Sequence, residues 1–185
     1  MKTKTTEAKV FKLFAKARKQ KSDIKPVLNC INVQEIDGNN WIACTDSFRL
    51  HAYREYKSED YKMPIGNFNI DNFTTVNESY PVYSTLDYTK DNQGTLHDTT
   101  GIDKLFEDIQ KLAINDVKRN TCTLLDLEFN KDYLLEACEW LQSKAKLHGL
   151  NGGIKVYTNG SKPLIIQLLD NAEVIAYAMI MPLYK

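Results

Sequence analysis

Lys9, Lys12, Lys16 and Lys19 recur at i, i+3, i+7 and i+10, a spacing that sets them along one face of a helix. A row of ammonium groups uninterrupted by carboxylates suits contact with a polyanion, and equally a solvated helix surface. Catalytic arrangements are thinner. Asp46, Ser47 and His51 are the types of a hydrolytic triad, but nothing in their spacing brings them together. Gly160-Ser161-Lys162 shares three letters with a phosphate-binding loop and lacks its first glycine. Glu7-Ala8-Lys9 has a nuclease-like spacing without an upstream aspartate. Asp126 and Glu128 alternate on one face of an expected strand, as paired metal ligands or as its solvent side. Neither the three histidines nor Cys30, Cys44, Cys122 and Cys138 show metal-ligand spacing. The sequence therefore predicts no catalytic residue, no metal and no cofactor. The cysteines sit in apolar contexts, as small buried residues of a reduced, cytoplasmic protein do. No stretch approaches the roughly 20 apolar residues that span a bilayer.

The charges that surround these groups are unevenly spread. The 185 residues carry 24 Lys+Arg and 24 Asp+Glu, for a net charge of zero. Residues 1–26 hold nine bases and two acids, which leaves an acidic body behind a basic N-terminal segment. Zero net charge thus excludes a uniformly basic nucleic-acid coat but not a one-sided basic surface.

The elements that position these groups follow from periodicity. Val10, Leu13, Phe14 and Ala17 give an apolar stripe on a helix over 7–21, and residues 1–6 are a candidate leading strand. Strands are expected at 27–36, 41–45 and 49–53, with a turn at Asp37-Gly38-Asn39-Asn40. Short strands are expected at 63–70 and 80–86, a loop at 89–101, and a helix at 101–117 with Ile102, Leu105, Phe106, Ile109, Leu112 and Ala113 on one face. Leu125, Leu127 and Phe129 alternate as a strand, followed by a helix over 131–147 and strands at 154–158, 164–168 and 174–181. Both ends of the chain then read β-α-β-β-β, the pattern of a duplication. The expected fold class is α+β, with halves at 1–56 and 121–185 and a connecting segment at 57–120.

Several stretches resemble a known family. Asn40 to Leu50, with Thr45-Asp46-Ser47-Phe48-Arg49-Leu50 at its centre, is similar to the Thr-Asp-Gly-His-Arg-Leu region of the bacterial sliding clamp, the beta subunit of the replicative DNA polymerase. Lys25 to Ile31 resembles the preceding strand, and Tyr80-Pro81-Val82-Tyr83 a Phe-Pro-x-Tyr stretch. Phe129 to Ala137 resembles the clamp's Phe-Asn-x-x-Tyr-Leu-Leu helix start, and Ala176 to Leu183 its C-terminal Val-Met-Pro-Met-Arg-Leu stretch. The patches cover about two-thirds of the chain in the family's order. Ser47 stands where clamps carry glycine, residues 57–120 match only in part, and Tyr184-Lys185 departs from the pattern.

The resemblance implies a DNA-clamp-like fold and a non-enzymatic replication accessory, in a compact or phage-type form. It implies duplex DNA as one partner, met without sequence specificity by Lys9, Lys12, Lys16 and Lys19. It implies a second partner, a short peptide from a DNA polymerase or another clamp-binding protein. That peptide would enter an apolar pocket formed by Phe48, Arg49, Leu50, Met179, Met181, Pro182 and Leu183. Encircling DNA would take a homo-oligomeric ring. Only the first helix argues for the DNA side, because residues 102–117 mix charges and the third helix offers Lys144 and Lys146 against Asp132, Glu136 and Glu139. The alternatives are a clamp-fold interaction module that does not bind DNA, and an unrelated α+β enzyme.

Overall fold

The computed structural model describes residues 11–16, 26–55, 63–80, 94–97 and 101–183. Lys9, Lys19, the expected strand at 1–6, both ends of the expected first helix, Glu7-Ala8-Lys9 and residues 81–86 lie outside the described residues. The strands are β1 (Cys30–Ile36), β2 (Asn39–Thr45), β3 (Arg49–Arg54), β4 (Gly66–Asn69), β5 (Thr95–His97), β6 (Thr121–Leu124), β7 (Leu127–Asn130), β8 (Ile154–Thr158), β9 (Leu164–Asp170) and β10 (Glu173–Ile180). Residues 11–15 are helical and are called α1; α2 is Ile102–Lys111 and α3 is Lys131–Leu147. The protein is α+β.

Eight strands make one antiparallel sheet in the order β4-β1-β2-β3-β10-β9-β8-β5, and β6 and β7 form a separate two-stranded sheet. Two runs of a helix followed by three meandering strands, α1-β1-β2-β3 and α3-β8-β9-β10, meet edge to edge where β3 pairs with β10. In that seam Leu50 lies opposite Met179 and Arg49 opposite Ile180.

Three hairpins close with two-residue loops whose residues both have positive φ, as type I′ turns require. They are Asp37-Gly38, Leu125-Asp126 and Asn171-Ala172. The expected four-residue turn after β1 therefore shrinks to Asp37-Gly38, and Asn39 and Asn40 join β2. Leu125 and Asp126 turn the chain instead of extending it, so Asp126 and Glu128 do not sit together on one strand face. Residues 26–29 form a 3-10 turn rather than the start of a strand. Within the expected loop at 89–101, Thr95–His97 pairs with β8.

The helix α3 carries its own stop signals. The Asn130 side chain accepts a hydrogen bond from the Tyr133 amide at 3.2 Å, the usual N-cap geometry. At the other end Gly149 takes φ 66°, and the Leu150 amide donates to the Ala145 carbonyl at 2.9 Å, a glycine-terminated C-cap. Lys131 Nζ donates to the Gln110 and Leu112 carbonyls at 2.9 and 2.6 Å. A cation at the C-terminus of α2 opposes its dipole and ties it to the start of α3.

One face of the sheet packs under the helices. Leu13 and Phe14 of α1, Ile102, Leu105 and Ile109 of α2, and Leu134, Cys138, Trp140 and Leu141 of α3 share a core with Ile31, Val33, Ile42, Val156, Ile166 and Ala178. Trp140 is fully buried, lies 5.9 Å from the Phe14 ring and stacks on His51 at 4.7 Å. The other face holds a smaller cluster that includes Trp41, Leu50, Tyr177 and Met179. Alternation along β3 and β10 thus sends Leu50 and Met179 away from the helices, and Arg49 and His51 toward them.

Candidate functional site

A depression of about 200 Å³ opens on the sheet face opposite the helices, at the β3–β10 seam. It is lined by Thr45, Ser47, Phe48, Arg49, Leu50, Pro163, Met179 and Met181. The cross-strand pair Leu50 and Met179 forms part of its lining. The β2–β3 loop forms one wall, and Pro163, just before β9, another. A cavity of about 150 Å³ accepts a benzene-sized ligand, so this one has room for a branched aliphatic or aromatic side chain. Two methionines give it an adaptable surface.

Hydrogen bonds fix the β2–β3 loop. Asp46 Oδ1 accepts from the Phe48 and Arg49 amides, each at 3.0 Å. Thr45 Oγ1 donates to the Arg49 carbonyl at 2.7 Å and accepts from the Ser47 amide at 3.1 Å. The Met181 amide donates to the Phe48 carbonyl at 2.8 Å, joining the end of β10 to the loop. Ser47 takes φ 75°, a left-handed conformation that glycine adopts without Cβ strain. Phe48, held at the loop tip, is 52% exposed.

Five of the seven expected pocket residues converge here: Phe48, Arg49, Leu50, Met179 and Met181. Arg49 does so with its backbone side only, since its side chain is fully buried. Nε donates to Asp46 Oδ2 at 3.1 Å, another guanidinium nitrogen to Glu136, and a third to the Lys16 carbonyl at 2.6 Å. The guanidinium also lies 4.3 Å from the centre of the Tyr133 ring. Pro182 and Leu183 do not line the depression; the Leu183 amide donates to the Glu128 carbonyl at 2.7 Å. Thr45, Ser47 and Pro163 line it as well, though none was expected at the pocket. The Thr45-to-Leu50 pattern brackets the first two, whereas Pro163 arrives only through the Leu164–Ile180 pairing.

Of the lysine row, Lys12 is exposed, and Lys16 is half-exposed with its ammonium 3.8 Å from Glu136 and 4.0 Å from Glu139. On α2, Lys104 pairs with Asp108 and Lys111 with Glu107. Lys144 of α3 is only 6% exposed, its ammonium 3.9 Å from the centre of the Tyr53 ring. Desolvation lowers its pKa to about 8. It faces the core rather than a ligand, whereas Lys146 is exposed.

Among the described residues the rival catalytic groupings do not assemble. Asp46 is consumed by its own loop, and His51 is buried against Trp140 on the helix side. Glu128 accepts from the Thr121 hydroxyl at 2.6 Å. Gly160-Ser161-Lys162 forms the β8–β9 turn, with the Lys162 amide donating to the Asn159 carbonyl at 2.9 Å. All four cysteines are buried and none is in a disulfide. Among the described residues no cluster of His, Cys, Asp and Glu is placed to hold a metal, and no helix is long and apolar enough to cross a membrane.

No family model matches the sequence, and no curated protein does. Solved structures do match in fold. The DNA polymerase III beta chain of Streptococcus pneumoniae superposes with a TM-score of 0.64 at 13% identity, over 99% of this chain and 63% of that one. A sliding clamp from Bartonella birtlesii bound to griselimycin gives 0.63 at 13%, over 95% and 64%. The DNA polymerase sliding clamp of Caulobacter crescentus gives 0.61 at 15%, over 97% and 64%. This chain therefore spans a little under two-thirds of the length of those clamps. In its α+β architecture and nearly end to end, it has the fold of the bacterial DNA polymerase sliding clamps.

Proposed function

We propose that this chain is a non-enzymatic, clamp-like replication accessory that recruits partner proteins by seating a short apolar peptide in the depression at the β3–β10 seam. The depression itself carries the reading. It is a preformed, largely apolar hollow with an exposed aromatic residue at its rim and two methionines in its wall. Such a site takes one or two apolar anchors from an extended peptide. The measurement is fluorescence anisotropy of a labelled peptide bearing adjacent leucine and phenylalanine residues. Met181→Asp places a charge in the wall and abolishes binding while the thermal midpoint stays close to that of the parent. Equal binding by the two proteins contradicts the assignment.

A second contact, with duplex DNA, is favoured by exposed Lys12 on α1 and by the spacing of Lys9, Lys12, Lys16 and Lys19 in the sequence. The partners would be DNA phosphates, met without base readout. If each lost phosphate contact flattens the dependence of log K on log salt by about 0.9, then Lys12→Glu produces a measurable loss of slope. DNA affinity that is absent, or indifferent to Lys12→Glu, leaves a peptide-binding module of the same fold. Ring assembly belongs to the DNA reading and is tested by sedimentation with and without duplex.

A further inference from the structure

Glu136 lies on α3, on the helix side of the sheet, and does not line the depression. Its carboxylate nevertheless ends a continuous chain of contacts that begins at the rim. Phe48 is held by the hydrogen bond its amide donates to Asp46 Oδ1, and Asp46 Oδ2 accepts from Arg49 Nε. The same guanidinium binds Glu136 and the Lys16 carbonyl and stacks on Tyr133. A buried guanidinium needs its carboxylates, because removing one leaves an uncompensated charge in a low-dielectric interior. Two acids share Arg49: Asp46 shapes the loop, and Glu136 anchors the guanidinium to a rigid helix. With Glu136 neutral, Arg49 loses its fixed end and Asp46 loses the reference that keeps the loop turned.

We infer that Glu136 is a positioning residue for peptide docking, holding the Phe48 rim in place through Arg49 and Asp46 from the opposite side of the sheet. This rests on the peptide-docking reading above. Lys16, the residue just after α1, also approaches Glu136, so the end of that helix bears on the same carboxylate. Glu139, which meets Lys16 but makes no bond to Arg49, supplies the internal control.

The test uses the full chain and two readouts: amide hydrogen exchange at Phe48 and Arg49, and anisotropy with the leucine-phenylalanine peptide. Glu136→Gln raises exchange at those two amides and weakens the peptide, each by roughly tenfold, about the size of a lost charge-assisted hydrogen bond. Glu136→Asp restores much of both, and Glu139→Gln changes neither. In a Phe48→Ala background Glu136→Gln has no further effect on peptide affinity, because the rim it positions is gone. The inference is overturned if Glu136→Gln leaves both readouts unchanged. It is equally overturned if exchange rises throughout the molecule, or if the affinity loss persists undiminished in Phe48→Ala. Should the parent protein bind no such peptide, the docking reading fails by itself. Exchange at Phe48 and Arg49 then decides whether Glu136 holds the loop.

Discussion

Burial of His51 against Trp140 has a pH signature. Desolvation, with the Arg49 charge adding to it, lowers the His51 pKa from 6.5 to about 3. The folded protein keeps the imidazole neutral where the unfolded chain takes up a proton. Stability is therefore complete above pH 6.5 and lost as pH falls toward 3, by up to about 1.4 kcal/mol per unit. His51→Phe keeps a ring on Trp140, and urea titrations across pH 4–7 should show it flattening that slope. Lys144 behaves in the opposite range. Its penalty is full below about pH 8, where the amine is charged in both states, and disappears as pH rises toward 10.5. Lys144→Met accordingly stabilises the fold at pH 7, by on the order of 1–2 kcal/mol after the lost contact with Tyr53, and leaves any DNA affinity unchanged. The sequence shows Lys144 only as a late cation on the third helix. Its burial depends on Tyr53, which the periodicity of neither element reveals. Arg49 is similar: the Thr45-to-Leu50 pattern places it at the pocket, but its partner Glu136 lies 87 residues away.

Elements bounded by strong local chemistry are legible from sequence, and elements bounded by tertiary contacts are not. The α3 span of 131–147 and the β8 span of 154–158 agree with periodicity because Asn130 and Gly149 cap the helix and Asn159-Gly160 closes the strand. The expected helix at 101–117 stops at Lys111, where Leu112 turns extended and Lys131 caps the end. Ala113, placed on the apolar face by spacing, is exposed. The β6–β7 hairpin escapes notice because its turn residues, Leu125 and Asp126, include neither glycine nor asparagine. Among the described residues a helix and three strands recur as α1-β1-β2-β3 and α3-β8-β9-β10, while β7, read as the strand that leads the second expected unit, pairs with β6 apart from the main sheet. Type I′ turns that lack glycine carry left-handed strain. At Ala172, with φ 71°, Ala172→Gly should stabilise the β9–β10 hairpin by about 1 kcal/mol, seen as a higher urea midpoint with an unchanged slope.

At the scale of the molecule, one sheet separates two surfaces. The helix layer covers one face and holds Lys12, Lys16 and their acidic neighbours; the other face opens into the depression at the seam between the two runs. Zero net charge is thus the sum of a basic segment and an acidic body, and much of the helix-side charge is paired locally. Surface pairs such as Lys111–Glu107 contribute little to stability, but they reduce the free positive charge offered to a phosphate backbone. The depression has no such competition, which makes peptide docking the central claim. Amide chemical shifts of the isotopically labelled protein, followed as the leucine-phenylalanine peptide is added, test it most directly. Saturable shifts centred on Thr45–Leu50 and Met179–Met181, with a fainter response at Glu136, are the expected result. Shifts confined to the helix face, or no shifts at millimolar peptide, contradict it.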